Sequence, residues 1–490
     1  MPKIFSVLVL ILLLFYLPFK TLANGYTDVT VSEANSMIGS NPSLVILDVR
    51  TQSEYDSGHI REAKLIPVTE LEGRLDELNK NNEILVYCRL GGRSSTASQI
   101  LADNGFLYIY NMLGGITNWI NEGYPVYIKY SSIQEAVNNA DLHDTLYISS
   151  GIYHEYLIMN KSLSLIGEDT DNTVIDGNYT GNVVEVTAND VLINGFTIQH
   201  SNQSSSYAAI RIAGSAWCNI TGNNITRNKI AILVISHDSR IEENSVTHNG
   251  QGIALYGCSD VTVKANTMSA NTVGISLVIS SSNTIIENKA ENSSFGGCGL
   301  TITSNSFNNT IQNNNLIGNF HGMLLSRSYN NSIISNIIAN NELLGIELAA
   351  SSNNTFFHNN VINNPTPVNV DTHSSNHSIC VWDNGCEGNF WSDYNDTDSN
   401  GDGIGDTKYI IDQNNTDRYP LMNVYWNPAD VNHDLEVDIY DIVLACGAYG
   451  STISDPNWNC HCDITEPYGV VDIYDIVVMC NEYGKEYDFS

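Results

Sequence analysis

Basic residues are scarce in this chain. Lys and Arg number 21 against 54 Asp and Glu, a formal charge of −33. Duplex nucleic acid is held by Lys and Arg neutralising phosphates, so that class of partner is excluded. An anionic membrane surface fits as badly. Charge of either sign is also sparse: 15% of residues, against the quarter of an average domain. Cysteine is limited to ten residues in 490, too few for a dense disulfide framework. Cys380 and Cys386, and the group Cys446, Cys460, Cys462 and Cys480, are the candidates for pairing in an oxidising compartment. Cys218, Cys258 and Cys298 fall in repeated segments and read as core. Beyond the N-terminus no stretch is long and apolar enough to span a bilayer. The one apolar run, Ile4 to Phe19, follows Lys3 and precedes Thr21-Leu22-Ala23. That pattern predicts a secretory signal cleaved after Ala23, and hence a mature protein outside the cytoplasm with no integral membrane segment.

What is present sets the class. Hydrophobic residues are 42% and aromatics 9%, enough to exclude wholesale disorder. The length allows about three domains. The acidic excess suits hard cations, calcium first. It is also localised: residues 371–490 hold 23 acidic and 3 basic residues, a net of 3 − 23 = −20. Residues 181–370 hold 10 and 7, a net of −3.

Residues 25–128 alternate strand-like and helix-like patterns. Leu44 to Leu47 and Ile84 to Tyr87 are short apolar runs that suit buried parallel strands, and Ser94 to Asn104 predicts a helix ended by Gly105. The second run delivers Cys88-Arg89-Leu90-Gly91-Gly92-Arg93-Ser94. A Cys at a strand end, followed by a Gly-containing loop and a helix start, is placed to become a thiolate. The loop and helix amides favour negative charge, and Arg89 and Arg93 add to the field.

Leu47-Asp48-Val49-Arg50, Glu54-Tyr55, Gly58-His59-Ile60, the Cys88–Arg93 loop, Met112-Leu113-Gly114-Gly115-Ile116 and Trp119 together resemble a single rhodanese domain. The resemblance implies an α/β fold and Cys88 as a nucleophile that becomes a persulfide. It implies Arg93 and the loop residues Leu90, Gly91, Gly92 and Ser94 as the anion cradle, with Arg89 beside it, and Asp48 and Arg50 as supports at the end of the first strand. A six-residue loop from Cys to Arg goes, in that family, with sulfur transfer; a loop one residue longer goes with phosphatase or arsenate reductase relatives. The expected chemistry moves sulfane sulfur from thiosulfate or a persulfide to a thiol acceptor.

From residue 129 the pattern changes. Ile-x-x-Asn or a close variant recurs at Asn223, Asn244, Asn266, Asn288, Asn314, Asn336 and Asn359, in steps of 21, 22, 22, 26, 22 and 23. Gly252-Ile253, Gly274-Ile275, Gly299-Leu300, Gly322-Met323 and Gly345-Ile346 run in phase with them. Short period-two strands separated by polar corners at a fixed repeat predict a solenoid of about ten coils. Asn stacked at one corner can form an amide ladder. The pattern is similar to right-handed parallel β-helices of the pectin-lyase-like class, in particular the copper-associated periplasmic and surface repeats. Ser131 to Val137 is expected to cap the first coil. His237, His248, His321 and His358 lie in different coils at unmatched phases, which favours exposed turn histidines over a copper site. No Asp pair suited to glycoside hydrolysis is visible. A rigid, polysaccharide-binding spacer is the expectation for residues 129–425.

Two segments near the C-terminus have calcium-loop spacing. Asp396, Asp398, Asn400, Asp402 and Asp406 alternate around Gly401. Asp430, Asn432, Asp434, Glu436, Asp438 and Asp441 fill the liganding positions of a 12-position loop, although position 6 is Leu435 rather than Gly. Val437 to Val443 repeats as Val471 to Val477, with Asp463, Asp472 and Asp475 as the matching acids and Thr465-Glu466-Pro467 inserted in the middle. Residues 428–490 thus resemble a type I dockerin, a small α-helical EF-hand-like module. The resemblance implies calcium as cofactor, a cohesin-domain protein as partner, and Ile439-Tyr440 and Ile473-Tyr474 as the recognition pairs. The sequence therefore predicts an exported sulfurtransferase-like protein on a β-helix, anchored by a dockerin. The alternatives are a structural, adhesive or carbohydrate-binding surface protein with an inactive rhodanese module, and a scaffold-attached polysaccharide-degrading enzyme.

Overall fold

The structure, a computed structural model, describes residues 25–294, 296–371, 377–465 and 469–486. The export segment lies outside the described residues, as do Glu466 and Pro467. The chain divides into two compact units: the residues up to Tyr130 with Tyr147–Ser149, and Ser131–Leu146 with Ser150–Ser490.

The first unit is an α/β domain. Its sheet has the order β1-β5-β4-β2-β3, with β1 Thr27–Val29, β2 Val45–Asp48, β3 Lys64–Leu65, β4 Glu83–Tyr87 and β5 Tyr108–Met112. Every pairing is parallel. Helices α1 Val31–Ser40, α2 Gln52–Asp56, α3 Gly92–Asp103 and α4 Gly115–Asn121 complete it. The apolar runs are continuous because both faces are covered. Leu47, Ile84 and Val86 enter one core with Leu101 and Phe106. Ile46, Leu85 and Tyr87 enter the other with Met112 and Trp119. The strand carrying Asp48 is the second in chain order, because Thr27–Val29 precedes it.

The second unit is a parallel β-solenoid with sheets of eleven, ten and ten strands. Helix α5, Ile133–Asn139, buries Ile133, Ala136 and Val137. Its first turn is tied down by Glu155, whose carboxylate accepts from the Ile133 and Gln134 amides at 2.8 and 2.9 Å. The predicted amide ladder is present. Asn223, Asn244, Asn266, Asn288, Asn314, Asn336, Asn359 and Asn389 each pass a side-chain amide bond to the next, at 2.9–3.1 Å. Two further Asn series run along other corners, Asn228–Asn249–Asn271 and Asn283–Asn309–Asn331–Asn354. A serine series marks a fourth corner: the Ser306 hydroxyl oxygen accepts the Ser280 amide, Ser351 the Ser328 amide and Ser378 the Ser351 amide. The in-phase glycines answer to close backbone approach: a Cβ on Gly274 would lie 2.5 Å from the Gly299 carbonyl oxygen.

The solenoid ends at Phe390–Trp391, paired with Asn360 and Val361. Beyond it, helices α6 Ile439–Ala448 and α7 Ile473–Glu482 repeat one design. Asp438 and Asp472 are their N-caps, and Asp441 and Asp475 close the capping boxes. Ala429, Val431, Val437, Ala445, Val471 and Met479 form their shared core. The cysteines pair across the two expected groups rather than within either: Cys386 is joined to Cys460. Cys380, Cys446, Cys462 and Cys480 are free thiols, and Cys218, Cys258 and Cys298 are buried as expected.

Candidate functional site

Cys88 follows β4 directly, so the buried strand fixes its backbone. Gly91 turns the loop at φ +100° and stands at the N-cap of α3, a conformation that favours glycine. The turn aims the Gly91 amide at the Cys88 sulfur, which accepts at 3.1 Å. Burial pushes the thiol up, but hydrogen bonds from Ser94 and from the Leu90 and Gly91 amides outweigh it and leave the Cys88 pKa lowered from 9.0. The Ser94 hydroxyl has a single proton and gives it to the Gly91 carbonyl at 3.0 Å. The share of the depression that rests on that hydroxyl requires it to rotate toward sulfur. Arg89 and Leu90 are exposed at the rim.

The Gly114-Gly115 motif supports this loop from behind. The Ile116 and Thr117 amides at the start of α4 donate to the Cys88 and Arg89 carbonyls at 2.9 and 3.2 Å. A Cβ on Gly115 would meet the Cys88 carbonyl oxygen at 2.3 Å. The two turns of α4 and the Cys88 loop can therefore dock only with glycine there.

Arg93 is less free than the sequence implied. Its guanidinium is gripped by both oxygens of Glu54, at 2.8 and 2.6 Å. That pairing, led by the hydrogen bond itself, holds the Glu54 carboxyl down to about 2. Glu54 also accepts from the Thr51 amide and hydroxyl, at 3.1 and 3.0 Å, as the capping box of α2. Sequence reasoning quoted Glu54 in a motif but gave it no role; its spacing from Thr51 was the available signal. Asp48 and Arg50 are buried. They form a buried pair, Arg50 Nε to both Asp48 oxygens at 3.0 Å, with Arg50 also donating to the Gly58 carbonyl at 2.8 Å. They hold the end of β2 against the Gly58 turn.

The acidic loops near the C-terminus fold around their own carboxylates. Asp398 accepts from the Gly401, Asp402 and Gly403 amides at 2.7, 3.2 and 2.9 Å. Asp406 accepts from Thr397 and Ser399, Asp402 from the Ile404 amide, and Asp396 from the Thr407 hydroxyl; Asn400 donates to Asp402. In the loop from Asp430 to Asp441, Asp430 accepts from Asp434, Leu435 and Trp426, and Asn432 donates to Asp434. Leu435 takes φ +76°, the left-handed geometry that the Gly position demands. Asp441 and Asp475 play matched parts: each accepts two backbone amides from the start of its loop and one from its helix N-cap. Asp463 accepts from the Gly469 amide at 2.6 Å, and its other oxygen is buried without a hydrogen-bond partner among the described residues. Glu436 lies in the loop from Asp430 to Asp441, its amide donating to Asp434. Ile439, Tyr440, Ile473 and Tyr474 are exposed large side chains on the first turns of α6 and α7.

On the solenoid the candidate acids are dispersed. Glu347 faces His321 at 3.2 Å and Glu287 faces Lys264 at 3.5 Å.

Known proteins match this geometry in two places. Residues 30–122 match the family described as Rhodanese-like domain. Residues 189–396 match the family described as Periplasmic copper-binding protein (NosD). The thiosulfate sulfurtransferase GlpE of Coxiella burnetii is 31% identical over 94 residues, covering 87% of that protein and 19% of this chain. The Bacillus subtilis protein YrkF, described as a sulfur carrier, is 35% identical over 97 residues, covering 52% of it and 20% of this chain. The crystal structure of a rhodanese-related protein from Thermoplasma volcanium is 31% identical, with all of that chain and 21% of this one covered, at a TM-score of 0.20. An α/β domain that sets a Cys at a strand end above amide donors defines the class, and through it the chain belongs to the rhodanese family. The chain spans about half the length of YrkF. Relatives of this domain are sulfurtransferases.

Proposed function

We propose that this protein transfers sulfane sulfur through a persulfide on Cys88. The observation that carries the reading is the Cys88 sulfur under the loop amides, with its pKa lowered. The thiolate attacks the outer sulfur of thiosulfate; the sulfur–sulfur bond breaks, sulfite leaves with the electron pair, and Cys88 retains the sulfur as a persulfide. A thiol or other thiophile then takes that sulfur and returns the thiolate. Arg93, with Arg89 at the rim, draws the anionic donor, and Leu90, Gly91, Gly92 and Ser94 shape the cradle. The test is a thiosulfate sulfurtransferase assay with intact-mass detection of the persulfide. Wild type should turn over and carry the extra sulfur, and Cys88→Ser should do neither. A reduced wild-type protein that takes no sulfur from thiosulfate or a persulfide would favour the inactive, adhesive alternative.

The rest of the chain serves, on this reading, to hold that chemistry outside the cytoplasm. Among the described residues no helix is long and apolar enough to cross a membrane, and the solenoid matches a family described as periplasmic. The dockerin-like tail binds calcium through Asp430, Asn432, Asp434, Glu436, Asp438 and Asp441, and through Asp463, Asp472 and Asp475; the loop of Asp396, Asp398, Asn400, Asp402 and Asp406 takes a further ion. The Asp463 oxygen that is buried without a donor among the described residues supports this, because a buried carboxylate oxygen without donors calls for a cation. Ile439-Tyr440 and Ile473-Tyr474 then present twin surfaces to a cohesin-domain partner. Calcium chelation should unfold the tail, since loop carboxylates left together repel. A far-UV spectrum and tail proteolysis pattern unchanged by a calcium chelator would remove this part of the proposal.

A further inference from the structure

One cluster belongs to none of these sites. Where the solenoid ends, Glu387 is buried and three imidazoles converge on its carboxylate. His433 Nε2 lies 3.0 Å from Oε1, His461 Nδ1 is bonded to the same Oε1, and His358 Nε2 is bonded to Oε2. The ligand atoms of Glu387, His433 and His461 lie within 4.8 Å of one another. Among the described residues no other three His, Cys, Asp or Glu side chains meet in this way.

The surroundings fix these side chains before any ion arrives. Cys386 and Cys460 are joined by a disulfide, so the residues preceding Glu387 and His461 are covalently tied. His433 is 4% exposed and packs where a Cβ on Gly403 would strike its own Cβ at 2.6 Å. The Asn423 amide holds its carbonyl at 2.9 Å. His358 is stacked on Tyr425, ring centroids 3.9 Å apart and 10° from parallel. Tyr425 is in turn locked to the last coil through two hydrogen bonds with Asn360, at 2.7 and 2.8 Å.

We infer that Glu387, His433 and His461 bind one Zn²⁺, which clamps the C-terminal segment onto the end of the solenoid. Two imidazole nitrogens and one carboxylate are a borderline donor set that suits Zn²⁺ and is wrong for calcium, which takes oxygen ligands. Zinc bonds of about 2.0–2.1 Å in a tetrahedron put ligand atoms about 3.3 Å apart, and His433 Nε2 already lies 3.0 Å from Glu387 Oε1. His358, on the far carboxylate oxygen, is a positioning residue that orients Glu387. His433 and His461 both lie beyond residues 189–396, the extent of the copper-binding family match. The site is therefore a property of this chain's tail joined to its solenoid, and it stands whether or not the calcium and docking proposals hold.

The test uses the full-length, calcium-saturated protein, stripped of transition metals and titrated with Zn²⁺ alone. One equivalent should bind per chain, and thermal stability should rise with Zn²⁺ as mass action requires. His461→Ala and Glu387→Gln should each abolish the stoichiometric site, and His358→Gln should weaken it by about 10–100-fold. Should those variants fail to fold, wild type supplies the answer: Zn²⁺ should protect His433 and His461 from acylation by diethyl pyrocarbonate, located by mass spectrometry. No bound equivalent, binding undiminished in both abolishing variants, a site that accepts Cu²⁺ but not Zn²⁺, or two histidines acylated equally with and without Zn²⁺ would each overturn the inference.

Discussion

The rhodanese domain and the solenoid solve the problem of a buried polar group in opposite ways. The domain concentrates polarity at one loop: a single sulfur faces the amides of a glycine-hinged turn, and each neighbouring group has its own task. The solenoid distributes polarity along its length. A buried Asn at each corner gives and receives the same bonds as the Asn in the next coil, so that no residue is special. A site of the first kind is lost with one atom. A structure of the second kind should lose stability in instalments and no activity at all.

The largest break of that comparison is Cys88→Ser. It should reduce sulfur transfer to background and leave the calorimetric unfolding of the solenoid unmoved. Next comes its mirror image, Asn288→Ala. Asn288 donates to the Val263 and Ile286 carbonyls and to Asn314, at 2.8, 3.0 and 3.0 Å, and accepts from Asn266. Truncation strands several of these buried partners, at about 1–3 kcal/mol for each group left unsatisfied. Calorimetry should show the solenoid transition lowered, with the sulfurtransferase rate unchanged. A rate that falls with Asn288→Ala would mean that the two regions are not energetically separate.

These differences also decide what the sequence reveals. The Asn223 to Asn359 series is visible because register forces identical residues to recur at one spacing. The serine ladder is hidden, since Ser280, Ser306 and Ser328 sit among many other serines with no flanking pattern. At the sulfur site, Cys88, the loop length and the glycines are legible because backbone geometry permits few alternatives. The Glu54 grip on Arg93 is not legible: 39 residues separate them, and only the sheet order brings α2 beside α3. The Cys386–Cys460 pairing and the Glu387 cluster escape for the same reason. Their members come from segments whose meeting depends on how the tail returns to the last coil.

A smaller effect is expected at Arg93. Its pair with Glu54 is about one-third exposed on each side, so the ion pair contributes at most about 1 kcal/mol of stability. Its value lies in orienting a guanidinium beside an anion. Arg93→Gln should raise the KM for thiosulfate by about tenfold, as loss of one charge-assisted hydrogen bond implies, and alter the melting temperature little. An unchanged KM would place the donor's charge on Arg89 and the loop amides instead.

The finest distinction concerns what lowers the Cys88 pKa. A thiol lowered from 9.0 gives a rate that climbs with pH and levels off below 9, since the thiolate is the nucleophile. The sign for folding agrees: an acid with a depressed folded pKa stabilises the fold above that pKa and loses the contribution as pH falls through it. Ser94→Ala removes a hydroxyl that rests on the Gly91 carbonyl and would have to turn to reach sulfur. If the hydroxyl turns, the midpoint of the pH–rate profile should move upward toward 9, with the plateau rate nearly kept. If the midpoint stays where it is, the backbone amides alone hold the thiolate. The sulfur site would then depend on repeated main-chain donors, as the solenoid does, and the contrast between the two regions would narrow to one side chain.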